Sequence, residues 1–528
     1  MISATRNSTA LFGLYVFALG VALAALYAFW AYEGRSVELP QIVSSAHKLQ
    51  CVSYSPFAKD QSPLRPGFVI RPQRMDTDLA LLSRYFSCVR TYSMTGLEQL
   101  PSYARKHGLK VMLGAWVSSN PVDTQREIEQ LIATANRYPE VVQSVVVGNE
   151  ALLRKDISGA RLADLVREVK ARVKQPVTYA DVWEFWRQYP EVAPAVDFIT
   201  IHLLPYWEDD PTGIDRALDH VAAVHDEYVK LFAPKPIFIG ETGWPSHGRQ
   251  RETALPSRVN EAKFIRGFVE LAERKGWDYN LIEAFDQPWK RANEGAVGGY
   301  WGLFDADRHD KHVLAGAVSN VPDWPRWMWI AVAGTAAALL LAGLPRDVAA
   351  ALSIPPLAVL GGVCTALWLR QGVMDNRDLW EWAWTLALIA VNMLALLRLR
   401  AAQVSRPPSR FLSSCAQDGL LAAGFVGAVL MAQLVFDARY REFPSYAVLL
   451  PALIYLCWPV AAPRREVSLL LAVIAIGIPL QVYEEGFDNA QALGWAAASA
   501  LLAAALWRSS RTSRSPAISA ANTAGVTV

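Results

Sequence analysis

Cysteine is scarce in this chain, and neither sign of charge is in excess. Five cysteines in 528 residues are too few for the disulfide framework of a small secreted scaffold, so an apolar core must hold the fold. Lys plus Arg number 51 and Asp plus Glu 49, a formal net charge of +2. That balance offers no basic surface to nucleic acid and no acidic solvating tail. No G-x-G-x-x-G turn follows any predicted strand, which leaves a dinucleotide fold unsupported. His309 and His312 in HDKH have no third ligand in view and read as a solvated loop. Neither a metal nor a cofactor is expected.

Apolar sequence, by contrast, is abundant: 52% of the residues are hydrophobic, too many for a wholly soluble chain of this length. Residues 10–31 carry no charge over a length that crosses a bilayer, and no A-x-A-like site follows them, so they read as an uncleaved signal anchor. After Trp324-Pro325-Arg326 the chain turns apolar again. Seven further spans are expected near 327–344, 348–369, 379–397, 417–436, 445–460, 467–482 and 490–507. Pro355-Pro356 should kink the second of these. The division is therefore 1–45 for the cytoplasmic start, anchor and linker, 46–320 for a soluble domain, 321–508 for a membrane bundle, and 509–528 for a disordered tail.

Loop charges orient the bundle, because cytoplasmic loops hold the Lys and Arg excess. With the N-terminus inside, the inner segments carry Arg6, Arg346, Arg398, Arg400, Arg406, Arg410, Arg464, Arg465, Arg508, Arg511 and Arg514. The outer loops carry only Arg370, Arg377, Arg439 and Arg441. The expectation is a multi-pass inner-membrane protein, in contact with the lipid bilayer, whose 46–320 domain faces the periplasm.

Within 46–320, apolar runs near 51–54, 88–92, 110–116, 145–148, 177–180, 198–202, 237–240 and 280–284 predict eight strands. Amphipathic helices separate them, among them 157–173 and 260–276, with Ser158 and Asn260 as N-caps. Strands alternating with helices over ~250 residues predict an α/β fold, a closed (β/α)8 TIM barrel. Two runs end in glutamate: VVVGNE at 145–150 and IFIGETGWPS at 237–246. The C-terminal ends of barrel strands are where catalytic groups sit, and about 90 residues is three βα units. Glu150 and Glu241 thus fall at strands 4 and 7, a carboxylate pair facing one cleft. Such a pair suits retaining cleavage of a glycosidic bond, with carboxyl groups roughly 5–5.5 Å apart.

Asn149 beside Glu150, the run Thr242-Gly243-Trp244-Pro245-Ser246 after Glu241, EAFDQPWK at 283–290 and YWGLFD at 300–305 together resemble the family 17 glycoside hydrolases. The resemblance covers about 270 residues and implies a retaining enzyme acting on β-1,3-glucan. It makes Glu150 the acid/base, which should have a raised pKa, and Glu241 the nucleophile. It implies substrate-binding roles for Asn149, Tyr54, Arg90, Tyr92, His202, Tyr206, Trp244, Glu283, Trp289 and Lys290. Arg90 reads either as the residue that orients Glu241 or as half of a structural ion pair. Trp183, Trp186, Trp207, Trp244, Trp289 and Trp301 fall near strand ends and, as a set, suggest an extended glycan cleft. Membrane-bound bacterial relatives include β-glucan transglycosylases that work beside a glucan synthase. Transfer in periplasmic β-glucan remodelling is therefore expected ahead of endo-β-1,3-glucanase hydrolysis, with a synthase as partner. A non-catalytic glucan-binding or export subunit is the remaining alternative. No Q-x-x-R-W run marks a processive synthase in the chain itself. Cys51 and Cys88 open strands 1 and 2 in similar contexts; a bridge is open to them, but its demanding geometry between parallel strands favours two buried thiols.

Overall fold

The computed structural model describes residues 2–42, 48–65, 67–403 and 410–512. The chain divides into two compact units, one of residues 36–318 and one of 1–35 with 319–528. In the first, eight parallel strands close into a barrel in chain order. They are β1 (Leu49–Ser53), β2 (Phe86–Arg90), β3 (Lys110–Ala115), β4 (Val142–Asn149), β5 (Val177–Val182), β6 (Ile199–His202), β7 (Ile237–Thr242) and β8 (Asp278–Leu281). β8 returns to pair with β1, Asn280 beside Cys51. The strands are almost wholly buried along their length because helices cover the outer face while the barrel interior covers the other.

Cys51 and Cys88 are cross-strand partners, and they are bridged, with Cα atoms 4.3 Å apart. This corrects the expectation of free thiols: matched register on neighbouring strands puts both side chains on one face within bonding reach. The bridge packs with Met112, Val146, Ala180, Phe198 and Phe238. Two residues further along the same face, Ser53 and Arg90 begin a polar layer. The helix Gly159–Lys170 is capped by Ser158 as expected, but Arg258–Lys275 starts earlier than predicted. Its cap is Ser257, whose hydroxyl accepts the Asn260 amide at 3.0 Å. From that helix Arg266, 3% exposed, donates to the carbonyls of Leu39, Pro40, His312, Val313 and Gly316, gathering the two ends of the barrel unit on one guanidinium.

The second unit is helical. Among the described residues, seven of its helices are long and apolar enough to cross a membrane: Thr9–Glu33, Trp324–Ala342, Val348–Asp375, Leu379–Ala402, Ser414–Phe436, Arg464–Glu485 and Ala490–Thr512. Pro355 and Pro356 lie inside one of them, which continues through both. The span expected at 445–460 is instead the 13-residue helix Ser445–Cys457. At 1.5 Å per residue it reaches about 20 Å, short of a ~30 Å hydrocarbon core. Arg398 donates to the carbonyls of Trp458 and Pro459, and Arg508 to that of Leu456, so the ending helix does not leave these acceptors bare. Of the expected tail, 509–512 closes the last helix, whereas 513–528 lies outside the described residues, as does 43–47 in the linker after the anchor.

Candidate active site

β4 and β7 both leave regular geometry where they deliver their glutamates. The β4–β5 register shifts between Val146 and Asn149, and Gly148 (φ 88°) and Glu150 (φ 51°) adopt left-handed backbone. For a glutamate that conformation costs roughly 1–3 kcal/mol, and it turns the side chain from the strand direction into the cleft. The β6–β7 register shifts between Ile201 and His202, leaving His202 opposite Glu241. Gly240 makes room: a Cβ there would meet Thr200 Cγ2 at 2.4 Å and His202 Cδ2 at 3.1 Å.

His202, 1% exposed, lies between the two carboxylates. Its Nδ1 is 3.0 Å from Glu150 Oε1 and its Nε2 is 3.7 Å from Glu241 Oε1. One ligand atom from each of the three residues lies within 4.8 Å of the others, so a carboxylate oxygen of Glu150 and one of Glu241 are at most that far apart. Arg90, fully buried, holds the other side of Glu241. Its Nη1 donates to Glu241 Oε1 at 3.1 Å and to Gly240 O at 2.7 Å, and its Nη2 to Asn149 Oδ1. The orienting and ion-pair readings of Arg90 are thus one contact: a single guanidinium fixes Glu241 and the residue preceding Glu150. Three donors this close invite comparison with a cation site. Arg90 already places a full positive charge on Glu241, which works against a second cation there.

Burial works to raise the Glu150 pKa, but the hydrogen bond from His202 and its charge, then Arg154 and Arg90, outweigh it and hold the carboxyl below the usual range. The sequence called for a raised value. The difference lies in His202, whose ring nitrogen sits 3.0 Å from the carboxylate and favours its ionised form. Burial and then the Glu150 charge push Asp181 up to about 6.

A cavity of about 540 Å³ opens above the pair. Tyr54, Tyr92, Asn149, Glu150, Glu241, Trp289 and Lys290 line it, as do Trp207 and Trp301. Five other expected residues do not, and one of them is Arg90, buried behind Glu241 and Asn149. Tyr206 is fully buried, its hydroxyl donating to Arg249 O at 2.7 Å. Trp244 is also buried, packed edge-on to Tyr206 with its Nε1 donating to Leu255 O. Glu283 sits behind Lys290 at 2.7 Å from Nζ, its carboxyl pushed by burial up to about 7. His202 faces the glutamates rather than the cavity. Trp183 and Trp186 are likewise absent from the lining.

Of the lining residues that the sequence did not single out, Glu294 and Trp116 bear most directly on the chemistry of the cleft. Glu294 belongs to a helix kinked at Gly295, and burial pushes it up to about 7. Trp116 directly follows β3 and is 38% exposed in the cleft. The strand end carried the signal for Trp116; no motif marked Glu294.

The model of the BtgE/BtgC glycoside hydrolase domain matches residues 51–302. Glucan 1,3-beta-glucosidase of Saccharomyces cerevisiae is 26% identical over 270 residues, covering 45% of this chain and 84% of that protein. The probable beta-glucosidase btgE of Aspergillus flavus is 28% identical over 263 residues, covering 48% of this chain but only 42% of its own length. Among solved structures, the glycoside hydrolase family 17 beta-1,3-glucanosyltransferase of Rhizomucor miehei shares 26% identity, with 50% of this chain and 96% of that one covered at a TM-score of 0.45. The matched segment runs from β1 to the loop after β8 and contains both glutamates, so the barrel of this chain is similar to the BtgE/BtgC glycoside hydrolase domain over nearly its whole length.

Proposed function

We propose that the barrel cleaves β-1,3-glucosidic bonds with retention and passes the glycosyl group to another sugar. The observation that carries this is the carboxylate pair, with oxygens within 4.8 Å and one member clamped by Arg90. Glu241, positioned by the guanidinium, attacks the anomeric carbon. The C–O bond to the departing sugar breaks, and the departing oxygen takes a proton from Glu150. In the second half, Glu150 removes a proton from an acceptor hydroxyl, that oxygen attacks the same carbon, and Glu241 leaves. A water in place of the acceptor gives hydrolysis.

The Cys51–Cys88 bridge favours an oxidising compartment, and the arginine bias of the loops favours the same side of the membrane for the barrel. That orientation needs 437–463 to carry the chain across the membrane, part helix and part extended; otherwise Arg464, Arg465, Arg508 and Arg511 would fall outside. Incubating the full-length protein in detergent with linear β-1,3-gluco-oligosaccharides, and reading products by mass spectrometry and linkage NMR, tests the reading. Products longer than the substrate support transfer. Shorter products alone replace transfer with hydrolysis, and an unchanged substrate overturns the enzymatic proposal.

A further inference from the structure

Trp116 is fixed in place without being buried, and that combination is not explained by packing. Its backbone amide donates to Glu127 Oε2 at 3.0 Å. The Glu127 carboxylate, 4% exposed, also accepts from Ser93 Oγ at 2.9 Å, from the Met94 amide at 2.6 Å and from the Thr95 amide at 3.1 Å. One carboxylate thus ties the loops after β2 and β3 to the helix Pro121–Arg137. The ring is backed by Arg154, whose guanidinium carbon lies 4.1 Å from its centroid. Arg154 is itself held, donating to Asn149 O at 2.6 Å, to Val117 O at 3.0 Å and to Asp156 at 2.8 Å. A tryptophan needed only for packing would be buried, as Trp186 and Trp244 are at 1% and 0% exposure. Here the ring is part of the cleft lining and 38% exposed, with a cation over one face.

We infer that Trp116 is the stacking platform of a donor subsite, taking the apolar face of a glucan ring beyond the one held over Glu241. The inference rests on the glucan reading above and adds a position to it. A flat aromatic surface, immobilised beforehand, binds a pyranose ring face at little cost in side-chain ordering. The donor side follows from the shape of the cleft. Most of its lining comes from the loops after β1, β2 and β3, where Leu64, Phe68 and Ile70 join Trp116, while β6 contributes Leu204 and Trp207. A retaining transferase must keep the glycosyl group through the covalent intermediate while one partner leaves and another arrives. The enclosed flank is suited to the group that stays. Arg154 also connects the platform to the strand end carrying Glu150, since it accepts the load of the ring and bonds the carbonyl of Asn149.

The test uses the full-length protein in detergent and linear β-1,3-gluco-oligosaccharides of increasing length, comparing wild type, W116A and W116F. Donor KM, acceptor KM and kcat are measured separately. W116A should raise the donor KM about three- to tenfold for the longer chains, leave kcat on the shortest cleaved substrate within about twofold, and leave acceptor KM unchanged. W116F keeps a ring and should recover most of the loss, and far-UV circular dichroism checks that both variants fold. Equal donor KM values across all lengths in an active W116A and W116F would overturn the subsite alone. A loss confined to acceptor KM would overturn its donor assignment. A wild-type protein that cleaves none of the oligosaccharides would instead overturn the glucan reading, and the subsite with it.

Discussion

In the barrel, buried charges come in sets whose members answer one another. Arg90 serves Glu241 and Asn149, and Lys311 reaches Ser246, Glu261 and Asp286 at 2.8, 3.1 and 3.1 Å. In the helical unit the deeply buried polar groups described are neutral, and several lack partners: both ends of the Gln481 amide, Asn392 Oδ1 and the Tyr455 hydroxyl. Its ion pairs, Arg377 with Glu381 and Arg441 with Asp437, lie one turn apart near helix ends. A charged group with several partners fixes the side chains around it, whereas isolated polar groups among apolar helices do not. Preorganisation by charge is thus concentrated in the barrel, and four measurements test that contrast.

The largest effect should follow Glu241→Gln. Product formation by the full-length protein should fall about 10³-fold or more, because the nucleophile is lost while the fold is kept. Retention of more than a tenth of the activity would remove Glu241 from the nucleophile's role. Next, replacing Cys51 and Cys88 together by serine should lower barrel stability by about 2–4 kcal/mol, seen as an earlier urea transition by near-UV circular dichroism. An unchanged midpoint would show that the surrounding core suffices without the bridge.

The third measurement is pH. Burial pushes Glu261 from 4.5 up to about 8 and Glu283 from 4.5 up to about 7. The folded barrel therefore binds these protons more tightly than the unfolded chain does. Their stabilising contribution is complete below about pH 4.5 and is lost as pH rises through about 8. The urea midpoint should fall between pH 5.5 and about 8.5, and Glu261→Gln should flatten that fall. A midpoint that rises over this window contradicts the assignment. The smallest effect should come from the other unit: Gln481→Leu removes an unpartnered amide and should be neutral or stabilising by up to about 1 kcal/mol, with turnover unchanged. A marked loss of glucan product in that variant would break the comparison outright, since it would put chemistry among the helices.

Much of this was legible in the sequence because fully buried parallel strands read as apolar runs, and all eight appear within a few residues of their predicted places. The two glutamates were legible for the same reason, each being the first charge after such a run. What the sequence hid is chiefly the direction in which a side chain points. Tyr206 and Trp244 stand at strand ends as Trp289 does, yet they turn into the wall while Trp289 lines the cleft. Register also went unseen: the cysteine bridge depends on the Cys51–Cys88 pairing, and the place of His202 depends on a shift between β6 and β7. In the second unit hydropathy marks apolar sequence but not helix length, so 445–460 looked like its neighbours although its helix stops at Cys457.

Arg266 gives the barrel a modular character. Leu39 and Pro40 near one end and His312, Val313 and Gly316 near the other all fall within reach of one guanidinium, so the barrel begins and ends at practically the same point. A unit built this way can be inserted into a connection between two helices, or exchanged for another barrel of the same kind, as a cassette. A pull arriving along either flanking segment meets the five carbonyl bonds of Arg266 before it reaches β1 or β8.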